Sequence, residues 1–426
     1  MSRHQVDLDQ FARSQLKKAA DLGNLDQDFI EILSYPKHEV AVNFPVRLTN
    51  KKLKIFKGFR IQHCNLHGPY KGGIRFHHEV NQEECKALAF WMTIKCSLLK
   101  LPLGGAKGGV QCNPLDYCQN DLKLISKGFS KAMFKYIGSQ RDIPAPDLGT
   151  NSQMMDWMTA AAQEVCKTHD RAIYTGKSLS YGGSEGREEA TGRGIMICVR
   201  EWFKEKGIEI KDKTFVIQGF GKVGSFASKL LVEELGMKLV AVGDHTGYYC
   251  SNNDDKNLSV DDLIAYAKTN RNLSGSPLLA EITRDNFFAS KVDLLIPAAM
   301  EMQITEHEAN LINAKLIVEG ANGPTDLEAD QILFDRSIDI IPDVLANAGG
   351  VVVSYFEWLQ NKRQEYWELE EVRSLLEKKM KKAYNKVRAF SEENNIDRRM
   401  ASHILAVRNL EYVYLAQSND PINDPN

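Results

Sequence analysis

The 426-residue chain exceeds the size at which one hydrophobic core usually stops growing, so two domains are expected. Hydrophobic residues make up 43% and charged residues 26%, with a formal net charge of -2, the balance of a soluble globular protein. That balance excludes the one-signed field that nucleic acid or a membrane surface would call for.

The eight cysteines are scattered and form no C-x-x-C pair, so reduced thiols are expected, with no disulfide frame and no metal site. The opening MSRHQVDLDQFARSQLKKAAD lacks the apolar run of a secretory signal, and its acidic residues argue against a mitochondrial transit peptide. A cytoplasmic location is therefore expected over the mitochondrial matrix. No stretch approaches the ~20 apolar residues that span a bilayer.

In chain order, Glu39 to Leu48 and Lys54 to His63 alternate and carry β-branched residues, which predicts paired strands. Asn81 to Lys100 places Leu88, Trp91, Met92, Leu98 and Leu99 at helical spacing and reads as a buried helix. It ends at LPLGGAKGG, where glycine density predicts a loop. Asn120 to Ile137 reads as an amphipathic helix. The glycine-rich SYGGSEGREEATGRG, Ser180 to Gly194, marks the expected domain boundary, with Thr191 to Lys206 as a helix. From Lys213 the pattern becomes strand, glycine turn, helix, strand, and FVIQGFGKVGSFASKLLVEELGMKLVAVGD forms one βαβ unit. Apolar runs at Val292 to Ile296, Leu316 to Val318 and Ile338 to Ile341 fit a doubly wound parallel sheet. The charged stretch Tyr366 to Asn395 is helical in pattern and is expected to lead back to the first domain. The expected fold is α/β: an N-terminal mixed α/β substrate and oligomerisation domain, 1–182, joined by a C-terminal helix at about 396–426, plus a Rossmann-type doubly wound dinucleotide-binding domain, 183–395.

Gly219, Gly221 and Gly224 spell G-x-G-x-x-G directly after a strand and at a helix start. The first permits the tight turn, the second lets backbone approach a pyrophosphate, and the third lets helix and strand pack closely. The helix N-terminus adds free N–H groups and positive dipole for the phosphates. Asp244 ends the next strand, about 20 residues on, where a carboxylate accepts from ribose hydroxyls; an ordinary solvated strand-end carboxylate is the rival reading. NAD is the expected cofactor. His245, which follows directly, would suit a 2′-phosphate when protonated, so NADP or dual use stays open.

Three lysines stand in unusual settings. Lys71 lies in GPYKGGIRF, Lys95 in the apolar helix WMTIKCSLL, and Lys107 in LPLGGAKGG. Each alone would ordinarily be a solvated lysine. An ammonium on an apolar helix face is costly unless paired, and flanking glycines admit a ligand close to the backbone, so one dianionic ligand would account for all three. Clustered cations also lower one another's pKa, which suits a lysine acting as a base. Asp147, in DIPAPDLGT, sits in what reads as a rigid proline-rich loop; it is either a turn aspartate or a proton relay beside a catalytic lysine.

These motifs, with GGSEGREEATGRG, QGFGKVG, EGANGPT and DVLANAGGVVVSYFEW, resemble in order and over nearly the whole chain the glutamate/leucine/phenylalanine/valine dehydrogenase family, and most closely its glutamate-using members. The resemblance implies a substrate domain, a Rossmann domain and a reaction site in the cleft between them, closing at glycine hinges near 182 to 194, and a hexamer built from copies of this chain. It implies reversible oxidative deamination of glutamate to 2-oxoglutarate and ammonia. Lys107 matches the catalytic lysine and Asp147 the acid working with it. Lys71 and Ser354 match the groups that hold the side-chain carboxylate. Lys95 matches the lysine on the α-carboxylate, with Met92 one helical turn away. Thr191 and Asn347 match residues near the nicotinamide amide and ribose, while Val223 and Asn322 are further candidate cofactor contacts. Lys222 stands beside the pyrophosphate where the family usually has asparagine, a departure that leaves phosphate contact there open. Two alternatives are a branched-chain or aromatic amino-acid dehydrogenase, against which Lys71 and Ser354 argue, and a non-catalytic sensor of glutamate or nucleotide, against which Lys107 and Asp147 argue.

Overall fold

A computed structural model describes residues 8–252 and 257–417. Residues 1–7 of the segment read for targeting, and residues 418–426 of the expected C-terminal helix, lie outside the described residues. In chain order the elements are α1 (Leu8–Gly23), α2 (Gln27–Leu33), β1 (His38–Arg47), β2 (Leu53–Cys64), β3 (Tyr70–His77), α3 (Gln82–Leu98), β4 (Gly105–Gln111), α4 (Gln119–Met133), β5 (Asp142–Pro146), α5 (Ser152–Cys166), α6 (Ala190–Glu205), β6 (Thr214–Gln218), α7 (Lys222–Glu233), β7 (Lys238–Asp244) and β8 (Gly247–Ser251). They continue with α8 (Val260–Asn270), β9 (Leu279–Ile282), α9 (Arg284–Phe288), β10 (Lys291–Pro297), α10 (Glu306–Leu311), β11 (Asn313–Val318), α11 (Leu327–Asp335), β12 (Asp339–Ile341), α12 (Asp343–Ala346), α13 (Gly349–Arg363), α14 (Leu369–Asn394) and α15 (Arg398–Gln417).

Two units emerge. The first takes in the chain up to Arg187, Val351–Val372 and the stretch from Ser402 on; the second takes in Glu188–Gly350 and Arg373–Ala401. The partition differs from the expected one at Val351–Val372, which was assigned to the dinucleotide-binding half. The cause is a set of bonds into the first unit: Ser354 Oγ meets Thr175 Oγ1 at 2.6 Å, and Glu357 accepts from the Gly176 N–H at 2.7 Å and from Lys177 Nζ at 2.6 Å. The return to the first unit comes at Ser402 instead of about 396.

The first unit carries a five-stranded sheet in the order β1-β2-β4-β3-β5. β2 runs antiparallel to β1 and β4, whereas β3 runs parallel to β4 and β5. Phe44, Phe56, Ile125, Phe129, Met133, Met155 and Met158 make one apolar core between the sheet and the α4 and α5 layer. Phe59, Ile61, Val80, Cys85 and Ala89 form another with α3. Asn81 starts α3 by accepting from the Glu84 N–H at 2.9 Å, an N-cap that ends the preceding turn.

Two loops expected from composition are strands. LPLGGAKGG holds β4, an inner strand of the sheet. Glycine is depleted in strands because it packs nothing, but here nothing fits: a Cβ on Gly108 would lie 2.5 Å from the Phe59 carbonyl oxygen, and one on Gly109 2.6 Å from that of Arg75. DIPAP is β5, which tolerates Pro144 and Pro146 because it is the edge strand.

The second unit has a seven-stranded sheet in the order β12-β11-β10-β6-β7-β8-β9. β12, β11, β10, β6 and β7 are parallel, and β8 and β9 add an antiparallel edge. The chain leaves β6 on one side and returns through β10 on the other, so the strand order reverses beside β6, the topological switch point of a doubly wound Rossmann-type sheet. Among the described residues, no helix is long and apolar enough to cross a membrane.

Candidate active site

Lys71, Gly73 and Arg75 share one face of β3 by strand alternation. Lys71 is 1% exposed. Burial, then the nearby Arg187 and Arg60 guanidinium groups, push its ammonium down to about 7, with Glu357 pulling the other way. Arg60, fully buried on β2, forks to Asp142 at 2.9 and 2.5 Å and donates to the Gly72 and Gly73 carbonyls at 3.3 and 3.1 Å. That single side chain ties β2, the glycine pair after Lys71 and the start of β5 together.

Lys107 projects from β4 and forms an ion pair with Asp147 Oδ2. Asp147 follows β5 in a turn closed by Thr150: the Asp147 N–H donates to Thr150 Oγ1 at 2.8 Å, and that hydroxyl donates to the Ile74 carbonyl at 2.9 Å. The Leu148 N–H donates to Asp147 Oδ1 at 2.8 Å. Burial works to raise the Asp147 carboxyl, but Lys107 and Arg75 overcome it and hold the group well below the usual carboxylate range. A permanently ionised carboxylate in contact with an ammonium is a pair across which a proton can be passed once substrate intervenes.

Lys95 and Met92 lie on α3, Lys95 buried and Met92 half-buried. Lys95 falls in the last turn of the helix, where the dipole favours a cation. Cys96, the residue after Lys95, lies within electrostatic reach of Lys71 as well. Ser354, 1% exposed on α13, has its hydroxyl held by Thr175. All six residues expected on the substrate side thus belong to the first unit, Ser354 by virtue of the Val351–Val372 segment. Arg60, Arg75, Thr175, Arg187 and Glu357 join them and were not singled out from the sequence.

A charge as compressed as that of Lys71 has a pH signature. Above about pH 7 the lysine of the free protein is mostly neutral, and a carboxylate bound against it would restore its charge, so such binding would take up protons there. Glutarate binding, followed calorimetrically at pH 8 in buffers of different ionisation enthalpy, should show uptake approaching about one proton per site, and Lys71→Arg should abolish it. Proton-neutral binding by the wild type at that pH would refute the Lys71 contact.

The second unit holds the remaining candidates. Gly219 has φ +95° and its N–H donates to the Gly243 carbonyl at 2.7 Å, a turn only glycine makes without strain. A Cβ on Gly224 would lie 1.9 Å from the Gly219 carbonyl oxygen, so the α7 start packs directly on the turn. A Cβ on Gly221 would meet nothing within 4 Å, and Gly221 caps α7 without a side-chain hydrogen bond. The start of α7 at Lys222 is thus left uncovered on the Gly221 side, and the first N–H groups of a helix have no partner within it, which is what a pyrophosphate site uses. Lys222 itself is exposed and pairs with Glu188 at 3.2 Å. Thr191 is half-buried in the first turn of α6. Asn347 Nδ2 donates to the Gly320 and Ala321 carbonyls and to Asn322 Oδ1, fixing the loop after β11.

Asp244 ends β7 as expected, but its oxygens are engaged. Oδ1 accepts from the Thr246 N–H at 2.7 Å and from the Thr246 hydroxyl, and Oδ2 from the Leu273 N–H at 2.7 Å. The carboxylate is thus held in place, with Oδ1 taken up by two bonds and one acceptor direction left on Oδ2.

A family model described as Glutamate/Leucine/Phenylalanine/Valine dehydrogenase matches residues 182–417, and one described as Glu/Leu/Phe/Val dehydrogenase, dimerisation domain, matches residues 36–164. A curated Glutamate dehydrogenase of Thermotoga maritima is 44% identical over 404 residues, 95% of this chain and 96% of that protein. The Cryptic catabolic NAD-specific glutamate dehydrogenase GudB of Bacillus subtilis is 40% identical over 412 residues, 95% of this chain and 94% of its own. The crystal structure of a hetero-hexameric glutamate dehydrogenase from Thermus thermophilus, in its Leu-bound form, superposes with a TM-score of 0.92 at 28% identity, covering 99% of each chain.

Proposed function

The chain belongs to the Glutamate/Leucine/Phenylalanine/Valine dehydrogenase family, and from that membership we infer that it catalyses the reversible oxidative deamination of L-glutamate to 2-oxoglutarate and ammonia with NAD. The observation that carries the chemistry is the Lys107–Asp147 ion pair, in the unit that also buries Lys71 and Lys95.

In this reading Lys95 holds the α-carboxylate, and Lys71 and Ser354 hold the side-chain carboxylate. Met92 packs against the aliphatic part. NAD, held at the glycine turn of the second unit, would supply the hydride acceptor for the substrate Cα, a capacity that protein side chains lack. Lys107 assists the addition of water to the imine carbon, and Asp147 carries protons to and from the substrate nitrogen. Gly219, Gly221, Val223 and Gly224 cradle the pyrophosphate, with Lys222 adding positive charge nearby, and Thr191, Asn322 and Asn347 serve the nicotinamide end. The first unit is thus the substrate unit and the second the cofactor unit. A homohexamer in the cytoplasm is the proposed working form. The strip of Ala41, Pro45, Leu53 and Ile55, exposed on β1 and β2, supports self-association through the first unit.

Purified protein should oxidise NADH in the presence of 2-oxoglutarate and ammonia, and kcat/KM should favour the NAD couple over the NADP couple. Asp244 supports that preference, since a 2′-phosphate would meet an anion that the Thr246 and Leu273 bonds keep from turning away. Asp244→Ser should lower the NAD-to-NADP ratio of kcat/KM by roughly tenfold or more, the scale of one or a few kcal/mol of lost repulsion. An unchanged ratio in the folded variant would take Asp244 out of cofactor choice. No oxidation of either reduced cofactor would sink the enzymatic reading itself.

A further inference from the structure

Asp147 answers to two cations, and of these only Lys107 has been given a role so far. The other is Arg75, 8% exposed on β3. Its Nε lies 3.7 Å from Asp147 Oδ2, the oxygen that also meets Lys107, and its Nη1 forms an ion pair with Glu84. Glu84 is itself anchored, because its N–H is the one captured by the Asn81 cap of α3. Arg75 is therefore braced on one side by the first turn of the helix that bears Lys95 and presents its other edge to the carboxylate. Between Lys71 and Arg75 on the same face lies Gly73, where a Cβ would come within 2.8 Å of Asp147 Cβ. The Asp147 side chain thus lies across β3 above a glycine that leaves room for it.

We propose that Arg75 is a positioning residue for proton transfer: braced by Glu84, it keeps the Asp147 carboxylate ionised and in line with Lys107. The inference rests on the reading that Lys107 and Asp147 carry the proton transfers. A carboxylate held by Lys107 alone closes onto it, and the ammonium is then engaged by Asp147 instead of by water. With a second, immobile cation sharing the same oxygen, the carboxylate keeps its place when Lys107 turns to its task. Substrate grip is assigned to other side chains, Lys71, Lys95 and Ser354.

The test uses the full chain and compares Arg75→Met and Arg75→Lys with wild type. The readouts are kcat, KM for glutamate, the solvent deuterium isotope effect, and the isotope effect of glutamate deuterated at Cα. Arg75→Met should lower kcat by roughly tenfold to a hundredfold, the range of a general acid–base contribution. KM should stay within about twofold, because binding is untouched. The solvent effect on kcat should grow and the Cα effect shrink, as proton transfer overtakes hydride transfer as the slow step. Arg75→Lys should restore part of the rate. Should Arg75→Met fail to fold because Glu84 is left unpaired, the double variant Arg75→Met/Glu84→Gln removes that burden and is held to the same expectations. An unchanged kcat, or a rise in KM with an undiminished Cα effect, overturns the inference and leaves Arg75 a brace of the pocket wall. Asp147→Asn, run alongside, tells the two levels apart: full turnover there would remove the underlying reading, whereas its loss together with an indifferent Arg75→Met would remove the inference alone.

Discussion

Lys107→Ala is expected to lower kcat for glutamate oxidation by roughly a hundredfold or more, while NAD binding persists. The size of the effect follows from what the ammonium touches. It is in direct contact with Asp147, and deletion removes the group proposed to activate water together with the charge that chiefly offsets the burial of that carboxylate. The fold should survive. The β4 backbone is paired on both sides, with Lys107 opposite Ile61 on β2 and the next residue, Gly108, opposite Ile74 on β3. Arg75 remains to compensate Asp147, so no buried charge is left alone. Stopped-flow hydride transfer and fluorescence titration of NADH on the same variant separate the two expectations. Near-normal turnover by a folded Lys107→Ala protein would end the assignment.

The second large effect concerns specificity. Lys71→Leu with Ser354→Val should reduce the preference for glutamate over norvaline or leucine by roughly a hundredfold or more, the worth of a few kcal/mol for a charged partner withdrawn from a buried carboxylate. The wall left behind is apolar and favours methyl groups. Stability should suffer less than the chemistry suggests. Lys71 is a buried cation whose charge is already disfavoured, so leucine relieves a strain in the free protein. The cost falls on Thr175, whose hydroxyl loses its 2.6 Å partner when Ser354 becomes valine, at about 1 kcal/mol. Competition assays with mixed amino acids give the ratio directly; a double variant that keeps the original ratio would mean these residues do not read the side chain.

Much of this arrangement was legible as pattern. The alternation of β1 and β2, the helical spacing of α3 and α4, and the strand–glycine–helix order around Gly219 are local signals that tertiary structure left intact. Where reading failed, packing had overruled propensity. β4 looked like a loop because its glycines carry no strand preference, yet they are there to let Phe59 and Arg75 backbones approach. β5 looked like a loop because its prolines forbid a central strand, and an edge position removes the objection. Ser354 is read as a substrate-side residue, but nothing near it in sequence announces Thr175 as its neighbour, or Lys177 as the neighbour of Glu357 one turn on. Arg60 and Arg75 were invisible for a related reason: their partners Asp142 and Asp147 come much later in the chain, and no spacing rule links them. The second arginine does stand in GPYKGGIRF, and its alternation with Lys71 was the one clue available.

The glycine-built strand β4 has a consequence for motion. An inner strand hydrogen-bonded on both sides and sealed by backbone contact exchanges its amide protons only when a large part of the structure opens, so the peptide groups around Lys107 belong to the slowest part of the unit. Asp147 hangs instead from the end of an edge strand in which Pro144 and Pro146 have no N–H to contribute, held by the Thr150 turn and by the Phe76 N–H donating to the Leu148 carbonyl at 2.9 Å. Opening of the Lys107–Asp147 contact is then expected to be a turn of the lysine side chain about a stationary β4 backbone, with Arg75 holding the carboxylate in its place.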